Sequence, residues 1–217
     1  MRIVVRVLWY FAFLWALLLS AGTIVQYLIF RQNTRFLEIK QHAIETGWYM
    51  PAFYCHVLAS SVILVAGFFQ FSKRVYQNRP LHKTLGKLYV FGILFLAAPG
   101  AYIMTLFVGR GPAVFASFLL QNTLWVAFTL SGWLLVMKGN VDDHKKMMRR
   151  SYALAFGAVT LRFYIWSLDT FGHGVNFEHN YVIIAFASWV PNLLLAELIN
   201  RKKTNTSLRG AKQSPDR

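Results

Sequence analysis

Three histidines of this sequence stand where they could bind a cofactor. His82 lies two residues after Pro80 in RPLHKTLGKLYV. His144 lies just before the basic residues of DDHKKMMRR. Proline suits the first turn of a helix, so His82 is predicted at a helix start, and His144 occupies the equivalent place on a later helix. Two helices that supply one neutral imidazole each can hold a b-type haem. We therefore take His82 and His144 as candidate axial ligands of haem iron and His56 as a spare ligand or proton handler. Ordinary solvated or interfacial histidines are the alternative.

Arg162 lies within the apolar run AFGAVTLRFYIW. A central arginine costs about 2.5–3.5 kcal/mol on membrane insertion scales, so it needs a partner or a water-filled cavity. An anion or a haem propionate would satisfy its charge, and Gln121 or Asn122 could accept its hydrogen bonds, whereas Asp169 is nearly aligned with it but lies two turns away. An arginine that ties helices together, or that extends toward the interface, is the structural alternative.

Helical spacing places these residues on shared faces. At about 100° per residue, His144 and Arg162 lie about five full turns apart on one face. The predicted stripe on that helix comprises His144, Ser151, Ala155, Arg162 and Asp169. A second stripe comprises His56, Ser60, Gly67 and Gln70, where small and polar residues also favour close helix packing.

The elements that position these residues are predicted to be membrane helices. The chain has 217 residues, 56% of them apolar and only 14% charged, whereas about a quarter of the residues of a soluble domain are charged. Blocks of 18 or more apolar residues indicate transmembrane helices. Six blocks meet this test, at roughly 3–30, 51–72, 86–108, 113–137, 148–171 and 180–200.

The sequence therefore predicts an all-α, polytopic bundle of six transmembrane helices in a single domain, residues 1–203. The first block is longer than the apolar region of a cleavable signal peptide, so we expect it to be a retained helix. The polar segment 204–217 is predicted to be a disordered tail.

The distribution of the 23 lysines and arginines predicts the orientation. They concentrate at both termini and in the loops near residues 73–87 and 138–150, which would all lie on one side. Such a bias predicts that both termini are cytoplasmic. The basic loops would then contact anionic headgroups of the lipid bilayer, and nucleic acid is not an expected partner. Only four basic residues fall in the opposite loops: Arg31, Arg35, Lys40 and Arg110.

Other chemistry has little support in the sequence. Cys55 is the only cysteine, which excludes an intrachain disulfide. The remaining histidines, His42, His173 and His179, match no zinc spacing. No nucleotide-binding loop, nucleophile elbow or helical zinc motif occurs.

Three segments, taken in their order along the chain, resemble a known family. HVLASSVILVAGFFQF, RPLHKTLGKLYVFG and DDHKKMMRRSYALAFGAVTLRFY together resemble the bacterial predicted membrane proteins called domain of unknown function 2306. The resemblance covers about residues 50–170 and implies a multi-helix protein of the bacterial inner membrane, without an established activity. The family pattern maps onto His56, Gly67, Gln70, His82, Gly86, Tyr89, His144, Met148, Arg150, Thr160 and Arg162.

The sequence is also similar, more weakly, to transmembrane cytochromes b of the ascorbate-reducible type, which have six helices and two haems. The similarity implies that His82 and His144 match the histidine pair of the third and fifth helices, and that His56 matches the second helix. The fourth helix departs from that pattern, because FLLQNTLWV contains no histidine.

Two functional hypotheses follow. The first is a haem b protein that moves electrons from a membrane donor such as a quinol, with His82 and His144 as ligands and Arg162 beside a propionate. The second is a haem-free protein, either a small-molecule transporter or an accessory subunit, in which Arg162 binds an anion or locks the bundle. A lipid-modifying enzyme with His, Asp and Arg at the membrane edge is a further alternative.

Overall fold

The computed structural model describes residues 2–28, 35–172 and 177–212, and every regular element in these ranges is a helix. One five-residue segment, Ile93–Ala97, is a π-helix. The α-helices are α1 (Arg2–Tyr27), α2 (Arg35–Glu38), α3 (Gln41–Ile44), α4 (Tyr49–Gln70), α5 (Lys73–Gln77), α6 (Arg79–Gly92), α7 (Ala98–Leu106), α8 (Pro112–Met137), α9 (Val141–Ala155), α10 (Gly157–Phe171), α11 (Phe177–Ala187) and α12 (Val190–Lys212).

Within the residues that the structure describes, five stretches are long and apolar enough to cross a membrane. They are Tyr10–Tyr27, Tyr49–Gln70, Arg79–Leu106, Pro112–Met137 and Asn180–Lys202. Large apolar side chains such as Phe95, Leu130 and Leu194 are exposed on the outside of the bundle, as expected where a helix faces lipid. The all-α, multi-pass architecture predicted from the sequence is confirmed.

The predicted fifth helix, 148–171, is interrupted. α9 ends at Ala155 and α10 begins at Gly157, and each has 15 residues, which gives a length of about 22 Å, less than the thickness of the hydrocarbon core. A Cβ at Gly157 would lie 2.7 Å from Nε2 of Gln121, and that nitrogen donates to the carbonyl of Leu154, 3.1 Å away. His144 therefore lies on α9 and Arg162 on α10, whereas the sequence predicted one helix for both.

Proline and asparagine explain two other features of the helices. α6 begins at Arg79, seven residues before the apolar block that starts near 86, and Pro80 lies in its first turn as predicted for a helix start at His82. The side chain of Asn78 accepts from the amide of Leu81 and caps this start. The π segment ends two residues before Pro99, and prolines and π segments are both places where helices kink.

α4 lies at the centre of the bundle and packs against α1, α6, α7, the π segment and α9. Gly100 of α7 allows the closest approach, since a Cβ there would lie 2.9 Å from Cβ of His56. The main core contains Tyr89, Ile93, Trp125 and Leu154. At the end of the chain, α12 continues as helical backbone to Lys212, where the sequence predicted a disordered tail from residue 204.

Candidate functional site

Two regions at opposite ends of the bundle contain the predicted site residues. We call the first the histidine end, defined by His82 and His144, and the second the Arg162 recess, defined by Tyr27, His56, Arg162 and Tyr181.

His144 lies near the start of α9, where the side chain of Asn140 accepts from the amide of Asp143. Its Nδ1 lies 2.7 Å from the carbonyl oxygen of Gly132 in α8. A carbonyl only accepts hydrogen bonds, so Nδ1 of His144 carries the proton that is donated. In the neutral ring the lone pair is then on Nε2, which suits a metal ligand.

His82 lies in the first turns of α6, where its carbonyl accepts from Nε2 of Gln70 at 2.8 Å. Its ring packs edge-on against Tyr76, with the centroids 5.6 Å apart. The charge of His144 acts on His82, so the two predicted ligands lie at the same end of the bundle. Nδ1 of His82 is buried and has no hydrogen-bond partner.

The histidine end meets the requirements of a haem only in part. His144 has the supporting hydrogen bond that a ligand histidine usually makes, whereas His82 lacks it. Deeper in the bundle, the hydroxyl of Ser151 bonds to both Tyr89 and Thr129, at 3.0 and 2.7 Å, which joins α6, α8 and α9. No group of three or more metal-ligating side chains occurs in the described part of the chain.

Gln121 and Asn122 were the predicted partners of Arg162, but their side chains donate hydrogen bonds to backbone carbonyls instead. Gln121 donates to the carbonyl of Leu154, and Nδ2 of Asn122 donates to the carbonyl of Ala98, 3.2 Å away. The two amides thus satisfy carbonyl groups beside the α9–α10 break and at the start of α7. The expectation that they hold Arg162 is wrong, because their rotation about α8 directs them at other helices.

Arg162 lies in α10 and makes no hydrogen bond or ion pair with any residue that the structure describes, Asp169 included. Its charge interacts with Tyr27 of α1, His56 of α4 and Tyr181 of α11. Arg162 is exposed in the structure, so its guanidinium is accessible to a molecule outside the bundle.

His56 contributes a second polar group to the recess. Its Nδ1 lies 2.7 Å from the carbonyl oxygen of Ala97, at the end of the π segment. As at His144, this contact assigns the proton to Nδ1. Nε2 makes no hydrogen bond with any residue of the described ranges, and it is not sealed from solvent.

Tyrosines complete the recess. The ring of Tyr27 packs edge-on against Phe53, with centroids 4.9 Å apart, and its hydroxyl has no hydrogen-bond partner within the described segments. The guanidinium of Arg110 stacks over the ring of Tyr181, 4.4 Å from its centroid. Sequence reasoning did not single out either tyrosine. The position of Tyr27 at the end of the first apolar block was the available signal.

Lys40 adds a further positive charge at this end. Its Nζ donates to the carbonyls of Phe107 and Val108, at 2.6 and 3.0 Å, which fixes it at the carboxyl end of α7. Burial lowers the pKa of Lys40 below its ordinary value, and the charge of Arg110 lowers that pKa further. Lys40 interacts with the charge of Arg110, which stacks on Tyr181, so these two cations make the electrostatic potential near Tyr181 positive.

The family comparison matches residues 53–200 to the model described as predicted membrane protein, DUF2306. The chain belongs to this family. The DUF2306 match includes His56, His82, His144 and Arg162, and it leaves out α1 with Tyr27. It confirms the resemblance seen in the sequence and the assignment to the membrane, while the similarity to cytochromes b stays a prediction. No curated protein and no solved structure matches the chain.

Proposed function

We propose that this DUF2306 protein crosses the bacterial inner membrane six times, with both termini cytoplasmic, and binds a small organic anion at Arg162. α9 and α10 would together form the sixth crossing. Arg150 of α9 pairs with Glu197 of α12, and Arg162 of α10 interacts with Tyr181 of α11. These contacts support an antiparallel path of α9–α10 beside α11–α12, from one side of the membrane to the other.

The cytoplasmic assignment rests on the distribution of basic residues. The loops at the histidine end and the two termini together contain 18 of the 23 lysines and arginines, as the positive-inside rule requires of cytoplasmic segments. The Arg162 recess would then open toward the opposite side, and its ligand would enter from outside the cell membrane.

One observation carries the anion proposal: Arg162 is exposed on the apolar helix α10 and makes no hydrogen bond or ion pair with the described residues. A guanidinium presents five N–H donors in a fork that matches a carboxylate or a phosphate. An unpaired charge within a membrane is costly, and a bound anion would remove that cost. An arginine that only tied helices together would instead bond to them.

The other positive charges support the same function. Lys40 and Arg110 stand beside the recess, and a concentration of one sign of charge raises the local concentration of oppositely charged molecules. The rings of Tyr27 and Tyr181 supply apolar surface with polar hydroxyl groups. An anion with a small apolar or aromatic part fits this lining.

The test is the thermal unfolding of the purified protein in lipid nanodiscs, with benzoate or phenyl phosphate and with neutral benzyl alcohol as the control. A ligand that binds the folded state raises the unfolding temperature. The anions should raise it for the wild type and for Arg74→Gln, which removes an exposed arginine of α5, but not for Arg162→Gln. Equal shifts in Arg162→Gln, or no shift in the wild type, would contradict the proposal.

A b-type haem between His82 and His144, with a quinol as electron donor, is the second candidate. The hydrogen bond from His144 to Gly132 favours it, because it leaves Nε2 available to iron. A bound haem would supply one-electron transfer. The purified protein should then show a reduced-state haem band that is lost in His82→Ala and in His144→Ala. A colourless protein from haem-supplied cells would exclude this candidate.

A further inference from the structure

We infer that Asn192 of α12 is a positioning residue for Arg162, which it holds in place through Thr160 of α10. This inference rests on the proposed function and deepens it, because it names the contact that fixes the helix from which Arg162 would reach an anion.

α10, the helix that carries Arg162, is not a regular continuation of α9. α9 ends at Ala155 and α10 begins at Gly157. The first turn of α10 closes on the carbonyl of Phe156, which accepts from the amides of Val159 and Thr160 at 2.9 and 3.1 Å. Because the regular helix is interrupted here, contacts with neighbouring helices have to fix the direction of α10 relative to α9.

The break between α9 and α10 lies against a second break, between α11 and α12. α11 ends at Ala187 and α12 begins at Val190. A Cβ at Gly157 would lie 3.2 Å from Cβ of Trp189 and 3.4 Å from the carbonyl oxygen of Ser188. The two breaks are therefore in direct contact, and a side chain at Gly157 would push them apart.

Asn192 joins the two breaks by hydrogen bonds. Its Nδ2 donates to the carbonyl of Ser188 and to the hydroxyl oxygen of Thr160, at 2.9 Å each. The hydroxyl of Thr160 donates its own proton to the carbonyl of Phe156, 3.3 Å away, so it can only accept from Asn192. The two protons of the amide thus bond one to each side of the contact.

The bond between Asn192 and Thr160 fixes Arg162 more directly than the other contacts of α10 do. Thr160 and Arg162 are two residues apart, within one turn of the helix. Among the described residues, no other side chain of α10 forms a hydrogen bond to another helix. The packing of α10 on α1 is aromatic, as in the pair Trp15–Phe163 with centroids 5.8 Å apart, and hydrophobic contacts are not directional.

The experiment titrates two aromatic acids, benzoate and phenyl phosphate, into the purified full-length protein in nanodiscs. Asn192→Leu removes the bond to α10, whereas the matched Gln121→Leu removes a bond to the carbonyl of Leu154 in α9. Both variants should unfold at lower temperatures, since each leaves an acceptor without its donor. We expect Asn192→Leu to weaken binding about three- to tenfold, the effect of one net hydrogen bond, and Gln121→Leu to change it by less than about twofold.

Thr160→Val tests the same bond from α10. This variant removes the acceptor of Asn192 with little change of shape, and it should weaken binding to a similar extent. The double variant Thr160→Val/Asn192→Leu should bind as tightly as either single variant, because both substitutions remove one shared interaction. If the unfolding measurement shows that Asn192→Leu does not fold, Thr160→Val alone decides the inference.

The outcomes separate the two claims. If Arg162→Gln abolishes binding but folded Asn192→Leu and Thr160→Val bind as the wild type does, the anion site stands and the positioning role of Asn192 is overturned. Equal weakening in Asn192→Leu and Gln121→Leu also overturns that role, because a general loosening of the bundle then explains the loss. If no acid binds in an Arg162-dependent manner, the proposed function is wrong and this inference falls with it.

Discussion

The histidine end and the Arg162 recess both contain cationic or titratable side chains, but they differ in how these are satisfied. At the histidine end, His144 bonds to Gly132 and Arg150 forms an ion pair with Glu197 at 2.6 Å, whereas Nδ1 of His82 is buried without a partner. In the recess, Arg162 and Nε2 of His56 have no partner within the described ranges. Satisfied groups stabilise a bundle, whereas unsatisfied ones at membrane depth are costly unless a ligand binds them.

The largest effect should come from removing a charge at each end. Arg162→Met removes an unpaired cation, so the ligand-free protein should become more stable, by up to about 2–3 kcal/mol. Arg150→Met leaves the half-buried Glu197 with only the longer ion pair to Arg201, at 3.8 Å, and should lower stability by about 1 kcal/mol. Thermal unfolding in nanodiscs measures both changes. Destabilisation by Arg162→Met would show that this arginine holds the bundle together.

The variant Gln121→Leu should lower the stability of the bundle without changing its affinity for anions. The variant removes the hydrogen bond to the carbonyl of Leu154 beside the helix break, and the unpaired carbonyl should cost about 1–2 kcal/mol of stability. Anion affinity should change by less than about twofold, since one lost hydrogen bond elsewhere in the bundle does not alter the charge at Arg162. Affinity measurements on the folded variant check this, and a large loss of binding would place Gln121 in the recess.

The smallest expected effect is the contribution of Lys40 to the pH dependence of stability. Because its pKa in the folded state is lower than the ordinary 10.5, the unfolded chain binds more protons between these two values, so stability should rise as pH increases through this window. The gain should be a few tenths of a kcal/mol, because the side chain remains partly exposed. Unfolding across this pH range, with Lys40→Met as the control, should show a flatter slope in the variant. An equal slope would assign the effect to other groups.

Much of the fold was predictable because a sufficiently long block of apolar residues is enough to indicate a membrane helix. The blocks near 51–72 and 113–137 match α4 and α8 to within two residues at each end. The break at Gly157 was not predictable from the same signal, since the sequence is apolar on both sides of it. It depends on Gln121, which lies 33 positions from its acceptor Leu154. The early start of α6, by contrast, was readable from Asn78 and Pro80.

The sequence was enough to predict which residues belong to the candidate site, but not which residues they contact. The cost of Arg162 in an apolar run and the types of His56, His82 and His144 marked all four from the sequence. Spacing along one helix cannot give the rotation of another helix, so Gln121 and Asn122 were assigned to Arg162 although they bond to the backbone. For the same reason Tyr27 and Tyr181 were not singled out.

The central claim is that Arg162 binds an anion, and calorimetric titration tests it most directly. The tightest-binding of the aromatic acids would be titrated into the wild type, Arg162→Gln and the matched Arg74→Gln. We predict that the dissociation constant rises about tenfold to hundredfold in Arg162→Gln, the loss of charge-assisted hydrogen bonds, and stays unchanged in Arg74→Gln. Equal affinity in all three proteins would contradict the account.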